Sequence, residues 1–279
     1  MIFTKLQLNG NDFIFVNCFK TNIASPVSVS CETCNRKFGI GADGLVLIKS
    51  SDKADYKIEI YNSDGSKARL CGNALLSLGR YLFESEDFKS KIKNKLDNIK
   101  VETDSGIKNI SLEIEYDEII AVSANLGKIE FKDNYFDFNN KIKIKNNNYN
   151  INYLSVGNFH GVIILDESDE IDNIKFCELI QDNINLKKII EKCNIEIIKI
   201  IDKNKIKIKI FERGVGETLS CGSGACAAVA TAISKNLCEK QQEIKIISKG
   251  GEHRVKYISE EEIILKSKPI LVYNGYLRI

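Results

Sequence analysis

Two cysteines, Cys71 and Cys221, lie in matching sequence contexts 150 residues apart. The segment around the first, IEIYNSDGSKARLCGNALLSLGRYL, aligns without a gap on the segment around the second, IKIFERGVGETLSCGSGACAAVATA. A second match lies upstream, where a glycine and an asparagine, Asn11 in one copy and Asn158 in the other, precede the cysteine at similar distances. The repeat therefore predicts two related halves, each with one thiol.

A short strand and a turn precede each of these cysteines, and a helix is predicted to begin directly after it, at Gly72 and at Gly222. The first N–H groups of a helix have no partner within the helix, and the helix dipole places partial positive charge there. We expect this charge to favour the thiolate of Cys71 and of Cys221 near neutral pH. The same N–H groups would bind a ligand carboxylate, and they belong to Gly72, Asn73, Gly222 and Ser223.

Two thiols on opposite sides of one carbon atom suit inversion at the α-carbon of an amino acid. One thiolate would remove the α-proton from one face while the opposing thiol gives a proton to the other face. The N–H dipoles around the carboxylate would stabilise the developing carbanion. A single buried cysteine beside a glycine is usually a packing residue. The duplicated context instead predicts an amino-acid racemase or epimerase with Cys71 and Cys221 as acid and base.

The composition limits the class of protein. The chain has 279 residues, of which 43% are apolar, and this suffices for two domains of medium size. Lys and Arg number 40 against 38 Asp and Glu, so a small molecule is expected as partner and nucleic acid is not. Neither a signal peptide nor a membrane span is predicted, because polar residues interrupt every apolar segment. We expect a cytoplasmic protein whose nine cysteines are reduced.

Short strands dominate both halves of the predicted fold. Apolar and polar residues alternate with period two over 2–8, 13–16, 45–48, 56–61, 112–114, 162–165 and 206–211. Long helices are predicted over 72–83 and 222–233, and partly helical surface segments over 84–100 and 166–192. The crossover between the two domains is expected near 118–124.

Five segments are similar to the diaminopimelate epimerase family, whose members are isomerases with two catalytic cysteines and no cofactor. The segments are LQLNGNDFIFV, GIGADGLVLI, YNSDGSKARLCGNA, SVGNFHGVIILD and ERGVGETLSCGSGACAA. The similarity covers essentially the whole chain, and the last segment is long and highly specific. The resemblance implies interconversion of LL- and meso-2,6-diaminopimelate in the synthesis of lysine and of peptidoglycan precursors.

The resemblance also implies a fold and an assembly. The family has an α+β fold of two pseudo-symmetric lobes, each a mixed β-sheet curled round a central helix, with the active site in the cleft between them. In this chain the N-terminal lobe would span 1–120, completed by a last strand within 268–279, and the C-terminal lobe would span 121–267. The resemblance further implies a homodimer that binds no cofactor and no metal.

Site residues follow from the resemblance by position. Cys71 and Cys221 resemble the acid and base pair of the family, and His160 resembles the family histidine near the reacting centre. The substrate ligands implied are Asn11, Asn62, Gly72, Asn73, Asn158, Asn194, Glu212, Arg213, Gly222 and Ser223. Arg213 can bind a carboxylate through two hydrogen bonds, and Glu212 can accept from an ammonium group. For His160 we expect an orienting role, since a lone histidine is more often structural than catalytic.

Two positions depart from the family pattern. Phe159 stands between the asparagine and the histidine where the family usually has proline, and Leu76 occupies the region after the first cysteine where an arginine is common. Neither change touches the cysteines, Glu212 or Arg213, so inversion chemistry is expected to persist. A related racemase acting on lanthionine, histidine or glutamate stays open as the alternative. A small substrate would leave Glu212 and Arg213 without a second charged end to bind.

Two other classes of protein are less well supported. Cys31 and Cys34 have the spacing of half a zinc site or of a redox pair, but the sequence has no second CxxC and only two histidines. We therefore expect a buried or turn segment there. A binding protein without catalysis would not need both repeat cysteines. Three aspartates that lie near glycines are interpreted as turn residues, namely Asp43, Asp64 and Asp104.

Overall fold

The computed structural model describes residues 1–92, 95–132, 141–145 and 147–278. The chain divides into two compact units. Residues 1–125, together with the chain end from 266, form the first unit, and Leu126–Leu265 form the second. The last strand is predicted within 268–279, and the final residue of that segment, Ile279, lies outside the described residues.

The first unit is a mixed sheet with helices. Its strands up to the unit boundary are β1 Ile2–Leu8, β2 Asn11–Asn17, β3 Gly44–Lys49, β4 Tyr56–Asn62, β5 Lys67–Ala68, β6 Ile99–Thr103, β7 Gly106–Glu115 and β8 Glu118–Asn125. Its helices are α1 Pro26–Cys34, α2 Gly72–Glu84 and α3 Glu86–Ile92. Strand β2 pairs antiparallel with β1 and parallel with β3, and β3 pairs antiparallel with β4. Strand β4 pairs parallel with β6, which begins an antiparallel run through β7 to β8.

The second unit is also a mixed sheet with helices. Its strands are β9 Glu130–Phe131, β10 Lys141–Ile144, β11 Asn147–Ser155, β12 Phe159–Ile164, β13 Asn194–Asp202, β14 Lys205–Glu212, β15 Gly216–Thr218, β16 Glu243–Ser248, β17 Gly251–Ser259 and β18 Glu262–Ser267, the last of which runs into the chain end. Its helices are the 3-10 turn Ile171–Asn173, α4 Phe176–Asp182, α5 Ile184–Ile190 and α6 Gly222–Ser234. The last strand, β19 Ile270–Tyr276, pairs antiparallel with β1 in the first unit.

The order of strand pairing in the first unit recurs in the second. Strand β12 pairs antiparallel with β11 and parallel with β13, β13 pairs antiparallel with β14, and β14 pairs parallel with β16. The register recurs as well. Phe13 on β2 lies opposite Gly44 on β3, and the corresponding positions on β12 and β13 are His160 and Asn194. Sequence repeat and strand topology therefore describe the same duplication.

Each unit packs strands against one long buried helix. Helix α2 buries leucines that include Leu75 and Leu82, and α6 buries a run of small residues over 224–233. Helices that are apolar on every side lie inside a core rather than on its surface. Close packing requires a glycine in α2, because a Cβ atom at Gly79 would lie 2.6 Å from Val122 Cγ1 on β8. These two helices carry the cysteines at their first turns.

The structure confirms the predicted α+β class, the predicted strands and the two long helices. The charged segment 84–100 contains α3 and the start of β6, with 93–94 outside the described residues, and 166–192 contains the 3-10 turn, α4 and α5. The crossover predicted near 118–124 falls on strand β8, and the unit boundary follows Asn125. Among the described residues, no helix has the length and apolar character needed to cross a membrane.

Candidate active site

Both repeat cysteines occupy the N-cap position of the long helix of their unit. Cys71 has φ −135° and ψ 117°, and Cys221 has φ −137° and ψ 119°, so the chain enters both helices in the same extended conformation. The carbonyl of Cys71 accepts from Leu75 N at 3.0 Å, and that of Cys221 accepts from Ala225 N at 2.9 Å. The helices thus begin where the repeat predicts, and each thiol stands beside the free N–H groups of a first turn.

In the first unit, Asn11 joins the thiol to the segment before β3. Its Oδ1 accepts from Asn73 Nδ2 at 3.2 Å and from the Cys71 thiol, whose Sγ lies 3.9 Å away. Its Nδ2 donates to Asp43 Oδ2 at 2.7 Å. Because an ionised carboxylate only accepts hydrogen bonds, Asp43 fixes the Asn11 amide with its oxygen on the side of the thiol.

Asp43 is held in turn by a charged network. Its Oδ1 accepts from Arg36 at 2.9 Å, and Arg36 also binds Asp12 through both terminal nitrogens, at 2.7 and 3.1 Å. Lys5 Nζ lies 2.8 Å from Asp12. Burial opposes ionisation of Asp12, but the hydrogen bonds from Arg36 and Lys5 outweigh it and lower its pKa to about 2. The interpretation of Asp43 as only a turn residue is therefore incomplete, because its carboxylate orients Asn11.

The other predicted ligands of the first unit lie at the start of α2 and at the end of β4. Gly72 and Asn73 are buried, and Asn73 Oδ1 accepts from none of the described residues. Asn62 is exposed, and its Nδ2 donates to Ser66 Oγ at 2.9 Å. The structure brings Cys71, Asn11 and Asn73 into one hydrogen-bonded group and places Asn62 in a separate contact.

In the second unit, Cys221 is almost completely buried, with 7% of its surface exposed. Burial raises the pKa of its thiol well above the usual value, and the carboxylates of Glu212 and Glu196 raise it further, against smaller opposing effects of Ser223 and the Gly224 N–H. The prediction that the helix start favours the Cys221 thiolate is therefore wrong. A helix terminus contributes about 0.3–2 kcal/mol, and here burial beside two carboxylates outweighs that stabilisation. The resting side chain is a thiol, which can donate a proton.

The raised pKa of the Cys221 thiol predicts slow alkylation of this residue. The thiolate is the nucleophile, so at pH 7 iodoacetamide should modify Cys221 far more slowly than the exposed Cys31. Glu212→Gln removes a neighbouring negative charge, lowers the pKa of Cys221 and should raise its alkylation rate at a given pH several-fold. Site-resolved peptide mass spectrometry measures both rates. Glu217→Gln, the same change at an exposed position, should leave the rate unaltered. Equal rates at Cys221 and Cys31 in the unchanged protein would contradict the assignment.

His160 lies between two oxygen atoms of the second unit. Glu196 Oε1 is 2.7 Å from its Nδ1, and Asn158 Oδ1 is 3.1 Å from its Nε2. His160 and Glu196 are both fully buried, whereas Asn158 is exposed in the turn before β12. A Cβ atom at Gly224 would lie 2.6 Å from Glu196 Oε1, so the glycine allows the first turn of α6 to lie against this carboxylate.

Asn194, Glu212 and Arg213 meet where β13 begins and β14 ends. Asn194 Oδ1 accepts from Arg213 N at 2.9 Å. Glu212 Oε1 accepts from Thr218 Oγ1 at 2.8 Å, and the Cys221 thiol also donates to the Glu212 side chain. Burial raises the pKa of Glu212, and the hydrogen bonds from Thr218 and Cys221 oppose that shift in part. The Arg213 side chain is exposed and forms no ion pair with any residue that the structure describes.

Sequence reasoning missed three residues of the second unit. Glu196 places a carboxylate inside the apolar strand NIEIIKI, and a charge at such a buried position is the signal that could have marked it. Ser220, directly before Cys221, has its Oγ 2.8 Å from His253 Nε2, and both side chains are buried. Burial lowers the pKa of His253 to about 4, so its ring is neutral at pH 7. No sequence pattern predicted this pair.

The two departures from the family pattern lie in apolar surroundings. Phe159 is partly buried and packs against the apolar core of the second unit. Leu76 is fully buried in α2. A charged residue at position 76 would need a buried partner, so the leucine suits its environment.

The CxxC segment ends helix α1 instead of forming a turn. Cys31 is exposed there, and Cys34 is buried. Burial raises the pKa of the Cys34 thiol to about 11. Over the described ranges, no group of three or more His, Cys, Asp or Glu side chains could hold a metal ion.

Solved structures share this fold across the full chain. A probable proline racemase from Agrobacterium radiobacter, with bound carbonate, matches with a TM-score of 0.74 and 12% identity, over 100% of this chain and 93% of its own. A hydroxyproline epimerase from Agrobacterium vitis, with bound trans-4-hydroxy-L-proline, matches with a TM-score of 0.73 and 12% identity, over 99% of this chain and 91% of its own. A phenazine biosynthesis protein from Bacillus anthracis gives a TM-score of 0.67 and 16% identity, over 100% and 98%. At such identities the likeness concerns the fold.

Two units of matching strand topology, each with a thiol at the start of its long helix, suit an isomerase of the racemase and epimerase class, and the sequence comparison supports this class. Sequence comparison narrows the class, because the diaminopimelate epimerase family matches residues 3–132 and 152–272. The chain belongs to the diaminopimelate epimerase family.

Individual relatives agree with this membership. The diaminopimelate epimerase of Methanococcus maripaludis is 33% identical over 288 aligned positions, which cover 100% of both chains. The diaminopimelate epimerase of Acetivibrio thermocellus is 31% identical, over 99% of this chain and 98% of its own. That of Clostridium perfringens is 33% identical, over 91% and 92%. The predicted resemblance and the predicted class of enzyme are confirmed.

Proposed function

We propose that the protein is a diaminopimelate epimerase that interconverts LL- and meso-2,6-diaminopimelate without a cofactor. The observation that carries the proposal is the equivalent placement of Cys71 and Cys221, each at the N-cap of the long helix in its repeat. Inversion at a carbon needs two acid–base groups, since one must remove a proton and the other must return one. The two equivalently placed thiols would supply such a pair.

In the proposed reaction, Cys71 is the base toward one stereoisomer. Its thiolate takes the α-proton, the electrons of the broken C–H bond pass into the α-carboxylate, and the Cys221 thiol gives its proton to the other face of the carbon. The raised pKa of Cys221, caused by burial and by Glu212 and Glu196, supports its role as the donor in this direction. The roles exchange in the reverse reaction.

The N–H groups at both helix starts would stabilise the carbanion, because their dipoles are already in place when charge develops on the carboxylate. They belong to Gly72, Asn73, Gly222 and Ser223. Each thiol also has its own hydrogen-bond acceptor, Asn11 Oδ1 for Cys71 and the Glu212 carboxylate for Cys221. The two thiols therefore have equivalent backbone conformations and different hydrogen-bond partners.

The end of the substrate farther from the reacting carbon would be held mainly by exposed residues of the two repeats. The exposed Arg213 guanidinium offers a fork of donors for a second carboxylate. Asn194 holds the Arg213 backbone through the hydrogen bond to its N–H. Asn62 and Asn158 are exposed and offer amide groups for an ammonium or a carboxylate. A diamino diacid has the charged groups that such a set can recognise.

Exchange of the α-hydrogen with solvent tests this function. Purified, reduced protein is incubated in D₂O with meso- or LL-diaminopimelate, lanthionine, histidine or glutamate, and NMR follows loss of the α-proton signal while chiral chromatography follows inversion. We expect exchange and inversion with diaminopimelate at rates at least about 100-fold above those for the other amino acids. Preferred exchange of lanthionine, histidine or glutamate would assign the chain to a different substrate, and no exchange at all would refute the racemase chemistry.

We further propose a cytoplasmic homodimer. Strands β1 and β19 pair in the first unit and expose apolar side chains, which are Ile2, Ile270, Val272, Tyr273 and Tyr276. Apolar residues clustered on an exposed sheet are typical of an interface with another protein chain. Sedimentation equilibrium of the purified protein measures the assembly, and a monomer at micromolar concentration would contradict the dimer.

A further inference from the structure

The carboxylate of Glu196 has no part in the proton transfers described above, yet it lies beside His160 in the second unit. Its side chain is fully buried, and it contacts the ring of His160 and the first turn of α6 at Gly224. Its Oε1 lies 2.7 Å from His160 Nδ1, and its Oε2 accepts from none of the described residues. Burial of a carboxylate costs free energy unless the group forms a specific interaction.

The two neighbours of the His160 ring determine where its protons are. Both Glu196 Oε1, beside Nδ1, and Asn158 Oδ1, beside Nε2, are hydrogen-bond acceptors. The arrangement therefore requires one proton in the Nδ1 to Glu196 contact and a second proton on Nε2. A neutral histidine with its proton on Nδ1 would instead leave a lone pair on Nε2 that faces Asn158.

That second proton decides which end of Asn158 is available to a ligand. With a proton on Nε2, His160 donates to Asn158 Oδ1, and the Asn158 NH₂ group remains as a donor. With a bare Nε2, the same amide would have to turn over and donate to the ring, and its oxygen would face outward. Only the first orientation offers N–H groups to a carboxylate.

We propose that Glu196 is a positioning residue that acts through His160 to hold the Asn158 amide with its NH₂ group free for a carboxylate of the substrate. This inference rests on the proposed function for the identity of the ligand but not for the state of the ring. Charged and titratable groups around the pair are Glu212 at the end of β14, Cys221 at the start of α6 and Cys193 before β13. The dipole of α6, whose first turn lies against Glu196, stabilises the negative charge.

The corresponding asparagine of the first unit shows the opposite arrangement. Asn11 gives its NH₂ group to Asp43 at 2.7 Å, and its oxygen accepts from Asn73 and from the Cys71 thiol. A carboxylate binds Asn11 directly, whereas in the second unit a histidine stands between the carboxylate and Asn158. The inserted ring reverses the amide, so one repeat presents a carbonyl oxygen and the other an NH₂ group.

The test combines a spectroscopic and a kinetic measurement. Two-bond ¹H–¹⁵N spectra of histidine distinguish a protonated ring nitrogen from a bare one, and the chain has only two histidines. We expect Nε2 of His160 to carry a proton, because it faces Asn158 Oδ1, while the neutral His253 shows one bare nitrogen and serves as an internal reference. In Glu196→Gln the amide oxygen replaces the carboxylate as acceptor for Nδ1, so the single proton of a neutral ring should lie on Nδ1 and Nε2 should be bare. If the Gln amide donates to Nδ1 instead, Nε2 keeps its proton and KM does not change, and that outcome would overturn the role of the Glu196 charge.

The kinetic measurement uses diaminopimelate as the probe. Glu196→Gln should raise KM by about 10- to 100-fold, the loss expected when one hydrogen bond to a charged group is removed, with a smaller effect on kcat. In the Asn158→Ala background the same change should have no further effect on KM, because the amide through which Glu196 acts is absent. Glu217→Gln, the same substitution at an exposed position, should leave KM unaltered.

Several outcomes would overturn the proposal. A bare Nε2 on His160 in the unchanged protein would do so without any variant having to fold. A full Glu196→Gln effect on KM in the Asn158→Ala background would show that Glu196 acts by another route. If the unchanged protein fails to turn over diaminopimelate but Nε2 of His160 carries a proton, the substrate assignment fails while the arrangement of ring and amide stands.

Discussion

Cys71→Ala and Cys221→Ala should each reduce the rate of diaminopimelate inversion by about 1000-fold or more. Inversion needs a base on one face and an acid on the other, and either substitution removes one of them. Chiral chromatography of the two stereoisomers measures the rate. Because the two thiols act as one unit, the double variant should be little slower than either single variant.

The thiol that remains in each variant should show from which face of the α-carbon it removes a proton. With one thiol left, the enzyme can still remove and return the α-proton of the stereoisomer that presents this proton to it, with retention of configuration. NMR in D₂O should therefore show residual exchange of one stereoisomer with Cys71→Ala and of the other with Cys221→Ala. Exchange of the same isomer in both variants would contradict the two-base assignment.

Two other cysteines provide matched controls. Cys226 is fully buried in the interior of α6, and Cys34 is buried at the end of α1, and neither lies at an N-cap that the repeat predicts. Cys226→Ala and Cys34→Ala should retain inversion, with a loss of stability of about 1 kcal/mol from the vacated volume. Full inversion by Cys71→Ala or Cys221→Ala would refute the mechanism.

The fold could be predicted from sequence where a local pattern determines the structure. Period-two alternation marks the strands, and the apolar residues after Cys71 and the small residues after Cys221 mark the two helices within one residue of their observed bounds. The pairing between distant strands has no such local signal. The parallel register that sets His160 opposite Asn194 joins residues 34 positions apart, and only the repeat hints at it.

The site could be predicted less completely because electrostatics depends on burial. The helix start at Cys221 is visible in the sequence, and from it alone a thiolate is expected. Burial raises the pKa of the Cys221 thiol instead, and the charges of Glu212 and of Glu196, which lies on strand β13, raise it further. Asp43 likewise looks like a turn residue until the structure shows its hydrogen bond to Asn11. Short-range spacing identifies the reacting groups, whereas their protonation depends on contacts between elements.

Arg213→Met should lower kcat/KM for diaminopimelate by about 100- to 1000-fold, mostly through KM. The guanidinium is exposed and forms no ion pair with a described residue, so its charge is available for a ligand. If the bound substrate buries this guanidinium against its carboxylate, loss of the charged partner costs about 2–5 kcal/mol. Steady-state kinetics with meso- and LL-diaminopimelate measure the change. The kcat/KM of Arg213→Lys should lie between that of the unchanged protein and that of Arg213→Met, since lysine keeps the charge and loses the fork of donors.

The same variant distinguishes a diamino diacid from a smaller substrate. If Arg213 binds the distal carboxylate, a slow amino acid without a second carboxylate, such as histidine, should react equally slowly with the unchanged protein and with Arg213→Met. Arg254→Met is the matched control, because Arg254 is paired with Glu243 at 3.6 Å and its charge is already balanced. An equal loss for both substrates would place Arg213 at the α-carboxylate instead. The specificity of the chain would then have to come from other exposed groups such as Asn62 and Asn158.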